Sequence, residues 1–131
     1  MPRFGQDSQK KLRMVHPSLR QLFERVVVEF DMKVIEGERS KERQKQLVEE
    51  GASKTLNSKH IIQADGWAHA VDVAPYPIDW NNVAPYYYMA GRIIELARTQ
   101  GVKVRWGGDW DMDGDLTEEK FLDLVHFELV R

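Results

Sequence analysis

Four histidines, His16, His60, His69 and His126, are the side chains of this sequence best suited to proton transfer or metal ligation near neutral pH. His60 closes the polar run Asn57-Ser58-Lys59-His60. His69 and Asp72 bracket Ala70-Val71. His126 stands inside Asp123-Leu124-Val125-His126-Phe127-Glu128-Leu129. Two imidazoles and a carboxylate, with a fourth position open, are the donor set of a catalytic zinc. His60, Asp72 and His126 would supply that set, acidifying a bound water and polarising a carbonyl. The spacing is diffuse, with no compact His-Glu-x-x-His motif. Any one of these histidines taken alone reads first as a satisfied, partly buried polar group.

A second cluster of donors lies in Asp109-Trp110-Asp111-Met112-Asp113-Gly114-Asp115-Leu116-Thr117-Glu118-Glu119. Acids at alternate positions followed by Gly resemble the opening of an EF-hand calcium loop. The end departs from that pattern, because Lys120 takes the twelfth place and Glu119 comes one residue early. Calcium held by Asp109, Asp111, Asp113 and Asp115 is one reading, and a solvated acidic turn is the other.

Composition narrows the field. The chain has 131 residues, 19 Lys+Arg against 21 Asp+Glu, and no Cys. Absent Cys excludes disulfides, Cys-ligated zinc, iron–sulfur clusters and a thiol nucleophile. A net charge of −2 argues against nucleic-acid binding driven by bulk positive charge. No apolar run approaches the ~20 residues of a membrane span. The start, Met1-Pro2-Arg3-Phe4-Gly5-Gln6-Asp7, lacks the apolar stretch of a signal peptide, so folding in a cytoplasm is expected.

The elements that must position these residues are short. Pro17 opens a helix whose Leu19, Leu22, Phe23, Val26 and Val27 recur at helical spacing. Met32–Ile35 reads as a strand. Ser40 reads as the N-cap of a second helix that stops at Gly51. Residues 52–66 read as a long loop, and Ala70–Ala74 as a strand ended by Pro75 and Pro77. A helix is predicted from Pro85 to Gly101, a strand over Val102–Trp106, and a last strand over Leu124–Val130. In that last strand Val125, Phe127 and Leu129 can enter the core while His126 and Glu128 face the other way. Two or three helices followed by strands interleaved with another helix imply a single α+β domain, its small sheet mostly antiparallel and flanked by helices. Aromatic residues from Trp80 to Trp110 divide between core and groove, with core the expected role for most.

Three blocks, Ser58-Lys59-His60, Ala70-Val71-Asp72-Val73-Ala74-Pro75 and Asp123-Leu124-Val125-His126-Phe127-Glu128-Leu129, resemble the signature of a zinc peptidase superfamily. It comprises D-Ala-D-Ala carboxypeptidases, the dipeptidases of vancomycin resistance and phage L-alanyl-D-glutamate endopeptidases, and its fold is shared with hedgehog domains. Phe4-Gly5, His16-Pro17-Ser18-Leu19, Gly37-Glu38-Arg39, Gln46, Gly51, Ile78-Asp79-Trp80 and Arg105-Trp106-Gly107-Gly108-Asp109-Trp110 extend the likeness in order along the chain, which most resembles the phage endopeptidases.

The resemblance implies a single zinc peptidase domain over 1–131 without a separate wall-binding domain. It implies zinc on His60, Asp72 and His126, Asp123 as general base, and Arg39 stabilising developing negative charge. Arg39 and Gln46 would contact substrate, and Glu128 would support His126 as well as rival Asp123. Because residues i and i+3 of a straight strand face opposite ways, Asp123 is expected in a bend before the strand. Eleven residues separate His60 from Asp72, more than the family usually has. That insertion makes His69 a competing first ligand, and Asp65 and Trp67 would shape the mouth of the groove. The implied activity is hydrolysis of the L-alanyl-D-glutamate bond of peptidoglycan for host-cell lysis, with calcium as regulator. A monomer held in the host cytoplasm until lysis is expected. A D-Ala-D-Ala carboxypeptidase or dipeptidase, or a non-catalytic metal-binding module of the same fold, are the alternatives.

Overall fold

The computed structural model describes residues 2–53, 55–118 and 122–130. Its elements run α1 (Gln6–Leu12), α2 (Pro17–Glu29), β1 (Met32–Glu36), α3 (Lys41–Glu49), β2 (Ala70–Pro75), α4 (Ala84–Gln100), β3 (Val104–Gly107), a 3₁₀ turn (Leu116–Glu118) and β4 (Asp123–Leu129). The strands form one antiparallel sheet in the order β1-β2-β4-β3, confirming the α+β expectation.

Helices α2 and α4 cover one face of the sheet. Their apolar stripes, Leu19, Leu22, Phe23, Val26 and Val27 from α2 and Met89, Ala90, Ile93 and Ala97 from α4, meet Val71, Val73, Phe127 and Leu129 from the strands. Alternation then turns Asp72, His126 and Glu128 to the opposite face, where the chemistry gathers.

The helix signals read from sequence hold. Ser40 Oγ accepts the Arg43 N–H at 3.0 Å and caps α3, and Gly101 ends α4 with φ of 70°, a left-handed conformation that glycine adopts without strain. Helix α1 carries no apolar periodicity; of its residues only Ser8 and Leu12 are buried. It packs on the edge strand β1, where Ser8 Oγ accepts the Val34 N–H at 3.0 Å. That bond occupies a donor that an edge strand would otherwise leave open.

Two irregularities of pairing shape the site. In β1, Val34 pairs with Val73 but Glu36 with Asp72, so Ile35 bulges out and Glu36 lies opposite the carboxylate. Between β3 and β4, Trp106 pairs with Phe127, and the next residue, Gly107, pairs with Asp123. Three residues of β4 are thus taken up opposite a single step of β3. This supplies the bend expected at Asp123, located inside the strand rather than before it. A Cβ on Gly107 would lie 2.1 Å from the Asp123 carbonyl oxygen, so the crossing requires glycine.

Candidate metal and catalytic site

His60 Nε2 and His126 Nδ1 each lie 3.1 Å from the same atom, Asp72 Oδ1. The remote nitrogen of each ring is tied. His60 Nδ1 donates to the Gly37 carbonyl at 2.7 Å, and His126 Nε2 donates to Glu128 Oε1 at 2.9 Å. These bonds fix the tautomers so that the two near nitrogens present lone pairs to one carboxylate oxygen. Lone pairs and anion repel unless a positive charge lies between them, and a divalent cation with N and O preferences meets that need. The donor set therefore fits zinc. His60 is 2% exposed and His126 8%, so the ligand atoms are held by packing as well as by hydrogen bonds.

Without a metal, protons answer the same need. Burial works against the charged form of His126, but hydrogen bonds to Asp72 and Glu128 outweigh it and push its pKa up to about 9. Burial likewise works against the Asp72 carboxylate, yet bonds from His126 and His60 hold its pKa well below the usual carboxylate range. Glu128 is lowered as well. Burial opposes its charge, while His126 and then Lys59 and Arg105 favour it.

The three candidate ligands line a cavity of about 220 Å³ together with Asp123, Arg39, Arg43 and Ser58. Asp123 is raised, by burial first and by the Asp72 charge second, with His126, His60 and Arg39 pulling the other way. Such a carboxylate beside a water site can take and return a proton. Arg39 is held in place. Its Nε donates to Glu36 Oε1 at 3.0 Å, its Nη1 to Gln44 Oε1 at 2.7 Å, and its Nη2 also bonds Glu36.

Gln46, expected at the substrate site, is exposed on α3 and does not line the cavity. Gln44, two residues earlier, is the glutamine beside Arg39. It is 1% exposed and also donates to Ser53 Oγ at 2.9 Å and the Thr55 carbonyl at 2.5 Å. Two residues along a helix is a rotation of about 200°, which turns one glutamine inward and the other out. Arg43 is a second residue missed from sequence, and its Arg-type charge four positions after Arg39 was the available signal.

The insertion before β2 does not enter the site. His69 Nε2 donates to Asp65 Oδ2 at 2.7 Å, and the His69 ring packs edge-on against His16 with centroids 5.5 Å apart. His69 is not among the converging donors, and Asp65 and Trp67 do not line the cavity.

In the acidic loop, carboxylate oxygens of Asp109, Asp111 and Asp113 lie within 4.8 Å of one another. Asp115 turns instead to Thr117, accepting from its N–H at 3.0 Å and its hydroxyl at 2.6 Å. Glu119 and Lys120 lie outside the described residues. Lost solvent, then Asp113 and Asp109, push the Asp111 pKa up to about 6. Asp109 Oδ1 is buried without a hydrogen-bond partner among the described residues. Trp110 connects the two clusters, its ring lying 5.5 Å from that of His126.

Comparison with known proteins points to one family. The L-alanyl-D-glutamate peptidase of Escherichia phage T5 is 30% identical over 139 aligned positions, covering 98% of each chain. The crystal structure of the Serratia marcescens L-Ala D-Glu endopeptidase ChiX superposes with a TM-score of 0.79 at 33% identity, over 98% of this chain and 90% of that one. The family model for phage L-alanyl-D-glutamate peptidases matches residues 1–130. This chain belongs to the phage L-alanyl-D-glutamate peptidase family.

Proposed function

We propose that the chain is a zinc-dependent endopeptidase that hydrolyses the L-alanyl-D-glutamate bond of the peptidoglycan stem, acting as a phage lysin. The observation that carries this reading is the convergence of His60 Nε2 and His126 Nδ1 on Asp72 Oδ1, in a cavity that also holds Asp123 and Arg39. His60, Asp72 and His126 would hold the metal, which when bound supplies Lewis acidity to the attacking water and the scissile carbonyl.

The rest is work for this chain's own side chains. Asp123 accepts a proton from the water whose oxygen adds to the L-alanyl carbonyl carbon. It returns that proton to the D-glutamyl nitrogen as the C–N bond breaks. Burial favours the protonated form of Asp123 in between. Arg39, fixed by Glu36 and Gln44, offsets charge on the carbonyl oxygen without reorganising. Glu128 keeps the His126 ring in its ligating tautomer.

Calcium on the acidic loop is the regulatory part of this reading. Three carboxylates share a small volume, Asp109 Oδ1 lacks a partner, and Asp111 holds its proton unusually well. Hard oxygen donors crowded in this way suit calcium. Because the Trp110 ring lies 5.5 Å from that of His126, calcium on the loop would act beside the candidate metal site.

Mass spectrometry of purified peptidoglycan after digestion, with and without a chelator and zinc repletion, tests the reaction. New D-glutamyl amino termini that vanish with chelation and return with zinc are expected. Release of D-alanine would favour the carboxypeptidase alternative, and an undigested wall would overturn the enzymatic reading.

A further inference from the structure

Three cations next to the catalytic residues are already answered by side chains of the protein. Arg39 is bonded to Glu36 and Gln44. Lys59 Nζ and Arg105 Nη1 lie 3.7 Å and 3.5 Å from Glu128 Oε2. Arg43 differs from all three. It lines the same cavity as Arg39 and Asp123, and its side chain is exposed. Its backbone N–H is engaged by Ser40 Oγ at 3.0 Å, but its guanidinium has no hydrogen-bond or ion-pair partner among the described residues. It also sits in the first turn of α3, where the helix dipole adds to its positive potential.

The substrate chemistry supplies an anion for this position. A glutamyl residue joined through its amine to L-alanine carries two carboxyl groups, and extension of the peptide uses one. The other stays free beside the scissile bond and is ionised near neutral pH. Resting on the peptidase reading above, we propose that Arg43 pairs with this free carboxylate and makes the site select D-glutamyl stems over stems whose carboxylate is amidated.

The division of labour with Arg39 follows from how each is held. A guanidinium locked by two partners suits charge that develops during reaction. An exposed, unengaged one suits charge already present on the substrate. That charge is the same before and during reaction, so its recognition acts on KM and not on kcat. A planar guanidinium can meet a carboxylate with two parallel N–H bonds, which a carboxamide cannot match.

Two synthetic peptides, identical except that one bears the free carboxylate and the other a carboxamide, provide the test. Each is digested by the zinc-loaded wild type, Arg43→Gln and Arg43→Lys, with circular dichroism and zinc content measured alongside. The wild type is expected to favour the carboxylate peptide by roughly tenfold in kcat/KM, the scale of one charge-assisted hydrogen bond. Arg43→Gln should bring the ratio close to one through a higher KM for the carboxylate peptide, and Arg43→Lys should restore part of it. An unchanged ratio in Arg43→Gln overturns the proposal, as does a wild type that cleaves both peptides equally, which leaves the peptidase reading standing. A wild type that cleaves neither peptide defeats that reading and this one with it.

Discussion

The two clusters of candidate metal donors among the described residues are built on opposite plans. Around Asp72, each imidazole is pinned at its far nitrogen and both rings are buried. Around Asp109, Asp111 and Asp113, the carboxylates sit on a loop whose residues 111–117 are exposed, and two of them are spent on turns. Gly114 N–H donates to Asp109 Oδ2 at 2.8 Å and Asp115 N–H to Asp113 Oδ1 at 2.8 Å. The loop passes through left-handed backbone at Met112 and Gly114, with φ of 58° and 78°, and the first of these is strained for a side chain. One cluster is fixed by packing and buried hydrogen bonds; the other is held by local turns at the surface, which rearrange at lower cost. Preorganisation suits catalysis and cheap rearrangement suits regulation.

The largest expected effects test the rigid half. His126→Ala should abolish both activity and stoichiometric zinc, measured by turnover and metal analysis. Asp123→Asn should lower kcat by about 10²–10⁴ while keeping zinc, because it removes the proton carrier and not a ligand. Zinc lost with Asp123→Asn would mean that the ligand set is misassigned.

Glu128→Gln comes next. It should weaken zinc by about 10–100-fold in a competition titration, since the His126 ring loses its anionic anchor. A smaller change than for a ligand variant is the point of the comparison: Glu128 acts through His126.

Proton linkage gives a subtler test. The raised His126 pKa stabilises the metal-free fold below the ordinary histidine pKa of 6.5, and this contribution is lost as pH rises through about 9. The lowered Asp72 pKa contributes above its unfolded value, near 3.8, and is lost as pH falls through its folded one. Melting temperatures of the metal-free protein should therefore fall between pH 6.5 and 9. The zinc-loaded protein should resist that fall, because zinc replaces the proton.

The smallest effect belongs to the loop. Calcium titration should change Trp110 fluorescence and raise activity, and Asp111→Asn should blunt both without altering zinc content. Fluorescence and activity that ignore calcium would make the loop an ordinary solvated turn.

Much of this was legible from residue types. The absence of Cys narrows candidate metal ligands to His and carboxylates, and the choice of His60, Asp72 and His126 comes from the resemblance of three blocks to a known family. Elements with an apolar period, α2 and α4, were equally plain. Helix α1 was not, because its contribution is Ser8 on a strand edge and carries no periodic signal. Gln44 and Gln46 share one helix and one chemistry, so only the packed phase of α3 tells them apart. The bend at Asp123 depends on pairing with Gly107, a partner sixteen positions away, which local sequence does not specify.

Gly37 links the first helix to the candidate metal site. A Cβ there would lie 1.9 Å from the Lys11 carbonyl oxygen, so Gly37 rests directly on the last turn of α1 while its own carbonyl orients His60. For protein engineering, this makes the residues of α1 part of the support behind His60. Trimming them, or grafting a rigid fusion partner onto them, would displace His60 from behind. A partner attached beyond β4 would leave that support untouched.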